Sequence, residues 1–82
     1  MKLLVFSSTT CGPCRMMAPI IEAVTKELGV EYTKIMNHER PHDFVQFEVK
    51  AVPTLIVVDD DGNEIRRKTG MVPRPQLKEF LS

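Results

Sequence analysis

The sequence has no excess charge of either sign, no long apolar run, no internal repeat and no tryptophan. Its 11 basic residues balance 11 acidic ones and are scattered, which predicts neither a nucleic-acid nor a membrane-surface partner. No stretch approaches the ~18 apolar residues of a membrane span. The N-terminal apolar run 3–6 is also shorter than the roughly 7–15 residues of a secretory signal. We therefore expect a cytoplasmic protein.

The length of 82 residues is enough for one hydrophobic core but not for two. Apolar residues make up 43% and charged residues 27%, which is typical of an ordinary globular chain. We therefore expect a single domain over residues 1–82, and a monomer.

The only two cysteines form the tetrapeptide Cys11-Gly12-Pro13-Cys14, directly after the apolar run 3–6. The junction of a strand and a helix is predicted here, where exposed amides and the helix dipole stabilise a thiolate. In a reducing compartment, such a pair is more often catalytic or metal-binding than structural. The pattern favours a redox-active cysteine pair over a structural disulfide.

Hydrophobic patterning predicts seven elements. The strands are expected at 3–6, 31–36, 55–58 and 64–68, and the helices at 13–28, 41–49 and 73–81. In the first helix, one buried face is predicted to contain Met16, Met17, Ile20, Ile21, Val24 and Leu28. Pro19 is expected to kink that helix, because proline removes a backbone donor. Phe44 and Phe47 are expected to anchor the second helix.

The order β-α-β-α-β-β-α predicts an α/β fold with a four-stranded mixed sheet and helices on both faces. The first two strands are joined through a helix, so they are expected to be parallel. The expected strand order is 2-1-3-4, with the third strand antiparallel to the first. The fourth strand, 64–68, is rich in charge and suits a sheet edge.

Four features resemble the thioredoxin family, and together they cover nearly the whole chain. They are the Cys11-Gly12-Pro13-Cys14 motif, Pro19 in the helix after it, the segment Val52-Pro53-Thr54, and Gly70 followed by the stretch 76–81. The resemblance implies a minimal thioredoxin fold of glutaredoxin size. It also implies a thiol–disulfide oxidoreductase that acts on protein disulfides.

The two sulfurs are expected to have different roles. Cys11, at the helix start, is predicted to be exposed and to attack a substrate disulfide as the nucleophile. Cys14, one turn further on, is predicted to be more buried and to resolve the mixed disulfide. Gly12 and Pro13 keep the turn tight, and the resemblance implies that this dipeptide gives a reducing protein.

The proline segment is interpreted through the resemblance, because X-Pro bonds in folded proteins are cis in only about 5–6% of cases. The resemblance implies that the Val52–Pro53 bond is cis and lies against the cysteine pair. Val52 is then expected to pair its backbone with an extended substrate segment. Gly70 is assigned to the same positioning region.

The sequence departs from the family at two places near the cysteines. Thr10 stands where a tryptophan usually precedes the first cysteine, so the usual apolar docking surface is altered. Val5 stands where the family has a buried acid, and leaves Lys34 without that partner. Activation of Cys14 is then left to water or to no specific base. Arg15 is interpreted as a solvated helix residue.

No bound cofactor is expected. The resemblance implies electrons from NADPH through a flavoprotein of the thioredoxin-reductase type, and protein disulfide substrates that include ribonucleotide reductase. One alternative is a glutaredoxin-like reductase recycled by glutathione. The chain has Gly70-Met71-Val72-Pro73 in place of the Gly-Gly-x-x-Asp stretch by which glutaredoxins bind glutathione.

A zinc module is a more remote alternative. His38 and His42 follow the cysteines with the spacing Cys-x2-Cys…His-x3-His, which resembles a zinc-ligand pattern. The gap between Cys14 and His38 is longer than in a usual zinc finger, and a well-patterned helix and strand fill it. We expect no metal site.

Overall fold

The computed structural model describes all residues, 1–82, and contains four strands and three helices in the predicted order. The elements are β1 Lys2–Ser7, α1 Gly12–Leu28, β2 Glu31–Met36, α2 Pro41–Gln46, β3 Thr54–Val58, β4 Glu64–Thr69 and α3 Arg74–Leu81. None of the helices is long and apolar enough to cross a membrane.

The sheet has the strand order β2-β1-β3-β4, as predicted. β1 is parallel to β2, and β3 is antiparallel to both β1 and β4. The end of β1, the end of β2, the start of β3 and the end of β4 therefore lie at the same end of the sheet. The register shows this directly, with Phe6 opposite Thr54, and Thr54 opposite Thr69.

Two apolar clusters cover the two faces of the sheet. The helices α1 and α3 pack on one face, where the buried residues are Leu3, Val5, Met17, Ile21, Val24, Leu55, Val57, Val72, Leu77, Phe80 and Leu81. The helix α2 packs on the other face. The buried residues there, called the α2 cluster below, are Phe6, Ile35, Phe44, Val49, Ile56 and Val58. Alternate residues of β1 and β3 supply both clusters, since successive strand side chains point to opposite faces. The prediction of helices on both faces is confirmed.

The first helix is capped at both ends by its own sequence. Cys11 is the N-cap, and Pro13 occupies the first turn, where its missing N–H has no intrahelical partner. Gly29 ends the helix in a left-handed conformation, with φ of 68°. The helix runs on through Pro19, so the kink expected there stays a prediction.

One residue on the predicted buried face of α1 is exposed. Met16 is 65% exposed, whereas Met17 is fully buried. Successive helical residues are turned by about 100°, so Met16 falls beyond the edge of the stripe that faces the sheet. Thr25 is buried, and its hydroxyl is satisfied there by a hydrogen bond that it donates to the carbonyl oxygen of Ile21 at 2.7 Å.

The second helix is shorter than the predicted range 41–49. It ends at Gln46 because Glu48 has a positive φ of 54°, which helical residues do not adopt. The turn that follows brings Val49 back to the core, and its N–H donates to the carbonyl oxygen of Phe44 at 2.8 Å. The expected anchoring by Phe44 and Phe47 is confirmed, since both pack in the α2 cluster.

Candidate active site

The two cysteines lie where β1 passes into α1 and are joined by a disulfide, with their Cα atoms 5.3 Å apart. Cys11 is half-buried, whereas Cys14 is only 5% exposed. The backbone N–H of Cys14 donates a hydrogen bond to Sγ of Cys11 at 3.2 Å. The Cys11 sulfur thus lies at the positive end of a 17-residue helix, where a thiolate is stabilised.

The loop before Cys11 is held by short-range hydrogen bonds. The N–H of Cys11 donates to the carbonyl oxygen of Ser8, and the N–H of Thr10 donates to the Ser8 hydroxyl, both at 3.3 Å. The guanidinium of Arg15 donates to the carbonyl oxygen of Thr9 at 2.9 Å. Arg15 is exposed, as its interpretation as a solvated helix residue predicts, and its side chain also ties the first helical turn to this loop.

The Val52–Pro53 peptide bond is cis, and Pro53 is buried. Pro53 directly precedes Thr54, which pairs with Phe6 near the end of β1, so the proline lies at the same end of the sheet as the cysteine loop. Gly70 follows β4 and donates its N–H to the carbonyl oxygen of Pro53 at 2.8 Å. Its φ of 92° is one that glycine adopts readily.

Val52 has no hydrogen bond to its backbone N–H or C=O from the rest of the chain. It is half-buried, and its side chain packs at the margin of the α2 cluster. A free donor and acceptor beside the start of a strand can pair with an extended peptide.

Gly12 and Pro13 are both exposed, and a Cβ added to Gly12 would meet no atom within 4 Å. The surface beside the disulfide is therefore open.

A cavity of about 200 Å³ adjoins Cys14 between α1 and the strands β1 and β2. Its lining residues are Val5, Ser7, Cys14, Ala18, Ile21, Glu22, Tyr32 and Lys34. Val5 is apolar and buried, and Lys34 pairs with it across the β1–β2 ladder. The position of the family's acid thus carries no carboxylate. A different carboxylate, that of Glu22, lines the same cavity.

The residues of the zinc alternative do not form a site. No group of three or more histidine, cysteine, aspartate or glutamate side chains is arranged to hold a metal ion. His38 is exposed on the turn before α2, and His42 is exposed in the first turn of that helix. The two cysteines are instead bonded to each other.

The groups with shifted pKa values lie outside this site, on β4. The guanidinium of Arg67 donates two hydrogen bonds to the carboxylate of Glu64, at 2.6 and 2.7 Å. These bonds lower the pKa of Glu64 and raise that of Arg67. This pair stabilises the sheet edge and has no part in the chemistry of the cysteines.

The exposure or contacts of four side chains near the site were not predicted from the sequence. Met16 and Met71 are 65% and 45% exposed, on the turn after Cys14 and directly after Gly70. Arg15 binds the loop carbonyl, and Glu22 lines the cavity. The i, i+4, i+8 spacing of Cys14, Ala18 and Glu22 is the one signal in the sequence that places Glu22 on the side of α1 facing the cavity.

A half-buried cysteine at a helix start is disulfide-bonded to a buried partner one turn later, and a cis-proline lies at the same end of the sheet. This arrangement defines the thioredoxin-fold class of thiol–disulfide oxidoreductases. The thioredoxin family model matches residues 1–82. The chain belongs to the thioredoxin family.

Curated relatives support the same assignment. The chain is 37% identical over 82 residues to a thioredoxin of Staphylococcus haemolyticus, covering 98% of this chain and 78% of the relative. A thioredoxin of Staphylococcus aureus is equally similar, with 37% identity and the same coverage.

Solved structures confirm the fold. Thioredoxin 1 of Thermosipho africanus superposes with a TM-score of 0.87 at 27% identity, covering 99% of this chain and 90% of that one. Fasciola hepatica thioredoxin also gives 0.87, at 32% identity, covering 96% of this chain and 75% of that one. The prediction of a minimal thioredoxin fold is confirmed.

Proposed function

We propose that this thiol–disulfide oxidoreductase works as a reductant of protein disulfides, with Cys11 as the nucleophile and Cys14 as the resolving cysteine. The observation that carries the proposal is the asymmetry of the pair. Cys11 is half-buried and accepts a hydrogen bond from a helix N-terminal amide, whereas Cys14 is 5% exposed. An external disulfide therefore reaches Cys11 first.

The reaction has two exchange steps. The Cys11 thiolate attacks one sulfur of the substrate disulfide, which forms a Cys11–substrate bond and releases the first substrate thiolate. The Cys14 thiol then loses its proton and attacks Sγ of Cys11. The Cys11–Cys14 disulfide forms, the second substrate thiolate leaves, and the two electrons of the dithiol have moved to the substrate.

Val52 supplies the contact that orients the substrate. Its N–H and C=O are unpaired and lie in the segment that precedes β3, so an extended substrate strand can pair with them. Gly70 holds this segment through its hydrogen bond to Pro53, and Gly12 and Pro13 leave the approach to Cys11 open. Exposed Met16 and Met71 offer adaptable apolar contact in place of the missing tryptophan.

The donor is proposed to be a flavoprotein of the thioredoxin-reductase type, which passes electrons from NADPH to the Cys11–Cys14 disulfide. The chain would act as one domain over residues 1–82, as a monomer in the cytoplasm, where thiols are kept reduced. Ribonucleotide reductase is one proposed substrate, because its turnover consumes a dithiol.

Reduction of insulin disulfides by the purified protein tests the proposal. With dithiothreitol as electron source, the protein should accelerate insulin precipitation, and Cys11→Ser should abolish the acceleration. Cys14→Ser should instead accumulate mixed disulfides, visible by mass spectrometry. Equal activity of the Cys11→Ser variant would overturn the assignment.

The donor is tested separately. The oxidised protein is recycled with thioredoxin reductase and NADPH in one arm, and with glutathione, glutathione reductase and NADPH in the other. Faster NADPH consumption in the first arm supports the proposed donor. Turnover in the glutathione arm alone would identify a glutaredoxin-like reductase.

A further inference from the structure

Cys14 is a buried nucleophile whose proton must leave before the second exchange step, and no acidic side chain of β1 lies beside it. The β1 residues that line the adjoining cavity are Val5 and Ser7, and neither ionises in the accessible pH range. The titratable groups around the cavity come from α1 and β2. They are Glu22, Tyr32 and Lys34, together with Cys14 itself.

We propose that Glu22 accepts the proton of Cys14 through water held in this cavity, and so activates the resolving cysteine. The cavity volume of about 200 Å³ exceeds the ~10–15 Å³ that one water molecule requires. The Ser7 hydroxyl and the side chains of Tyr32 and Lys34 provide polar partners for such water.

The helix geometry requires water as an intermediary. Cys14 and Glu22 are eight residues apart on α1, which separates their Cα atoms by about 12 Å along the axis. The carboxylate therefore does not contact the sulfur, and a chain of hydrogen-bonded water transfers the proton. Ala18, between them on the same side of the helix, is small and leaves the path free.

Glu22 also has access to solvent, which lets it discharge the proton after each turnover. Glu22 and Tyr32 line a second, more open groove, together with Lys2, Lys26, Glu31 and others of the α1–β2 side. The two residues thus separate the cavity beside Cys14 from the outer groove. Lys34 contributes a positive charge to the lining of the cavity.

The step balances without any external redox partner beyond the substrate. The Cys14 S–H bond breaks, its proton passes through water to the Glu22 carboxylate, and the Cys14 thiolate attacks Sγ of Cys11. The Cys11–Cys14 bond forms as the Cys11–substrate S–S bond breaks, and the substrate thiolate leaves. The relay operates only if the proposed function holds, because it serves the step after the Cys11–substrate disulfide has formed.

Stopped-flow reaction of the reduced protein with the disulfide dithiobis(nitrobenzoate), called dithionitrobenzoate below, separates the attack by Cys11 from the attack by Cys14. Attack by Cys11 releases one thionitrobenzoate at a rate that depends on reagent concentration. Attack by Cys14 releases the second at a concentration-independent rate. At pH 6, Glu22→Gln should slow the second phase roughly 10-fold, below the ~10²–10⁴ of directly bonded bases, and change the first less than about twofold.

The pH profile distinguishes a proton acceptor from a merely structural residue. The difference between the wild type and Glu22→Gln should vanish above about pH 8.5, where an ordinary thiol ionises unaided. Loss of the negative charge by itself would favour the Cys14 thiolate and speed the second phase, so slowing has the opposite sign from a simple charge effect. Glu22→Asp keeps the carboxylate and should recover part of the rate.

Glu79→Gln, at an exposed carboxylate on α3 away from the cavity, is the matched control and should leave both phases unchanged. An unchanged second phase in Glu22→Gln, or a slowing that persists at pH 9, would overturn the relay. Absence of the first phase in the wild type would instead reject the proposed function itself.

Discussion

The backbone N–H of Cys14 donates a hydrogen bond to Sγ of Cys11 at 3.2 Å, so one cysteine caps the helix that buries the other. In the reduced protein the same amide stabilises a thiolate at Cys11, because it lies at the positive end of the helix dipole. Sγ of Cys14 accepts no hydrogen bond from the chain, and Cys14 is almost fully covered.

The first prediction concerns this difference in reactivity. With substoichiometric iodoacetamide at pH 7, alkylation of Cys11 should exceed that of Cys14 by about tenfold or more, since the thiolate is the reacting form. Peptide mapping by mass spectrometry gives the ratio. Unfolding in urea should bring it close to one. Equal labelling in the folded protein would contradict the assigned roles.

The second prediction concerns the positive φ of Gly70, the residue whose N–H donates to the carbonyl oxygen of Pro53. Gly70→Ala should lower the free energy of unfolding by about 1–3 kcal/mol, because a side chain is strained at its φ of 92°. Urea unfolding measures this loss. Gly12→Ala is the control, as an added Cβ there meets no atom within 4 Å and the φ is not positive. A loss at Gly12 as large as that at Gly70 would contradict the backbone explanation.

The third prediction concerns acid stability. Arg67 lowers the pKa of Glu64, chiefly by hydrogen bonding to the carboxylate. A depressed folded-state pKa gives stability that is present above the unfolded value of about 4.3 and is lost as the pH falls through the folded value. Glu64→Gln should therefore cost less than about 1 kcal/mol at pH 7, because the pair is exposed, and nothing at pH 2.

Urea titrations at pH 7 and pH 2 measure this difference. The control is Glu39→Gln, because Glu39 is an exposed carboxylate outside every ion pair of the structure. This variant should have the same free energy of unfolding as the wild type at both pH values. If the loss of stability in Glu64→Gln is larger at pH 2 than at pH 7, the ionised Glu64 carboxylate is not the source of the stability.

The fold could be predicted from the sequence wherever a local signal and the tertiary environment agree. The central strands β1 and β3 are short apolar runs, and α1 has a proline in its first turn and Gly29 at its end, so their positions were predicted within one residue. The end of α2 was not, because the positive φ of Glu48 depends on how Val49 returns to the core.

The site was predictable in part for the same reason. The cysteines are a contiguous motif that the sequence alone identifies, whereas the proline segment was interpreted through the family resemblance. The cavity beside Cys14 combines Ser7 of β1, Glu22 of α1 and Lys34 of β2, which no motif joins. Only the packing of α1 on the sheet brings these three together.

The fourth prediction concerns Arg15, whose guanidinium donates to the carbonyl oxygen of Thr9 at 2.9 Å. Arg15→Gln should slow the attack of Cys11 on dithionitrobenzoate about threefold, as expected for a hydrogen bond that contributes ~0.5–1 kcal/mol. If Arg15 acts by holding the loop, the slowing persists at 1 M salt. If it acts only through its charge, the slowing disappears, because the Debye length there is about 3 Å. Because the guanidinium binds a backbone carbonyl rather than the sulfur, we expect the slower rate of Arg15→Gln to persist at 1 M salt. We also expect Arg15→Lys to recover only part of the wild-type rate. Loss of the effect in salt would contradict the positioning role.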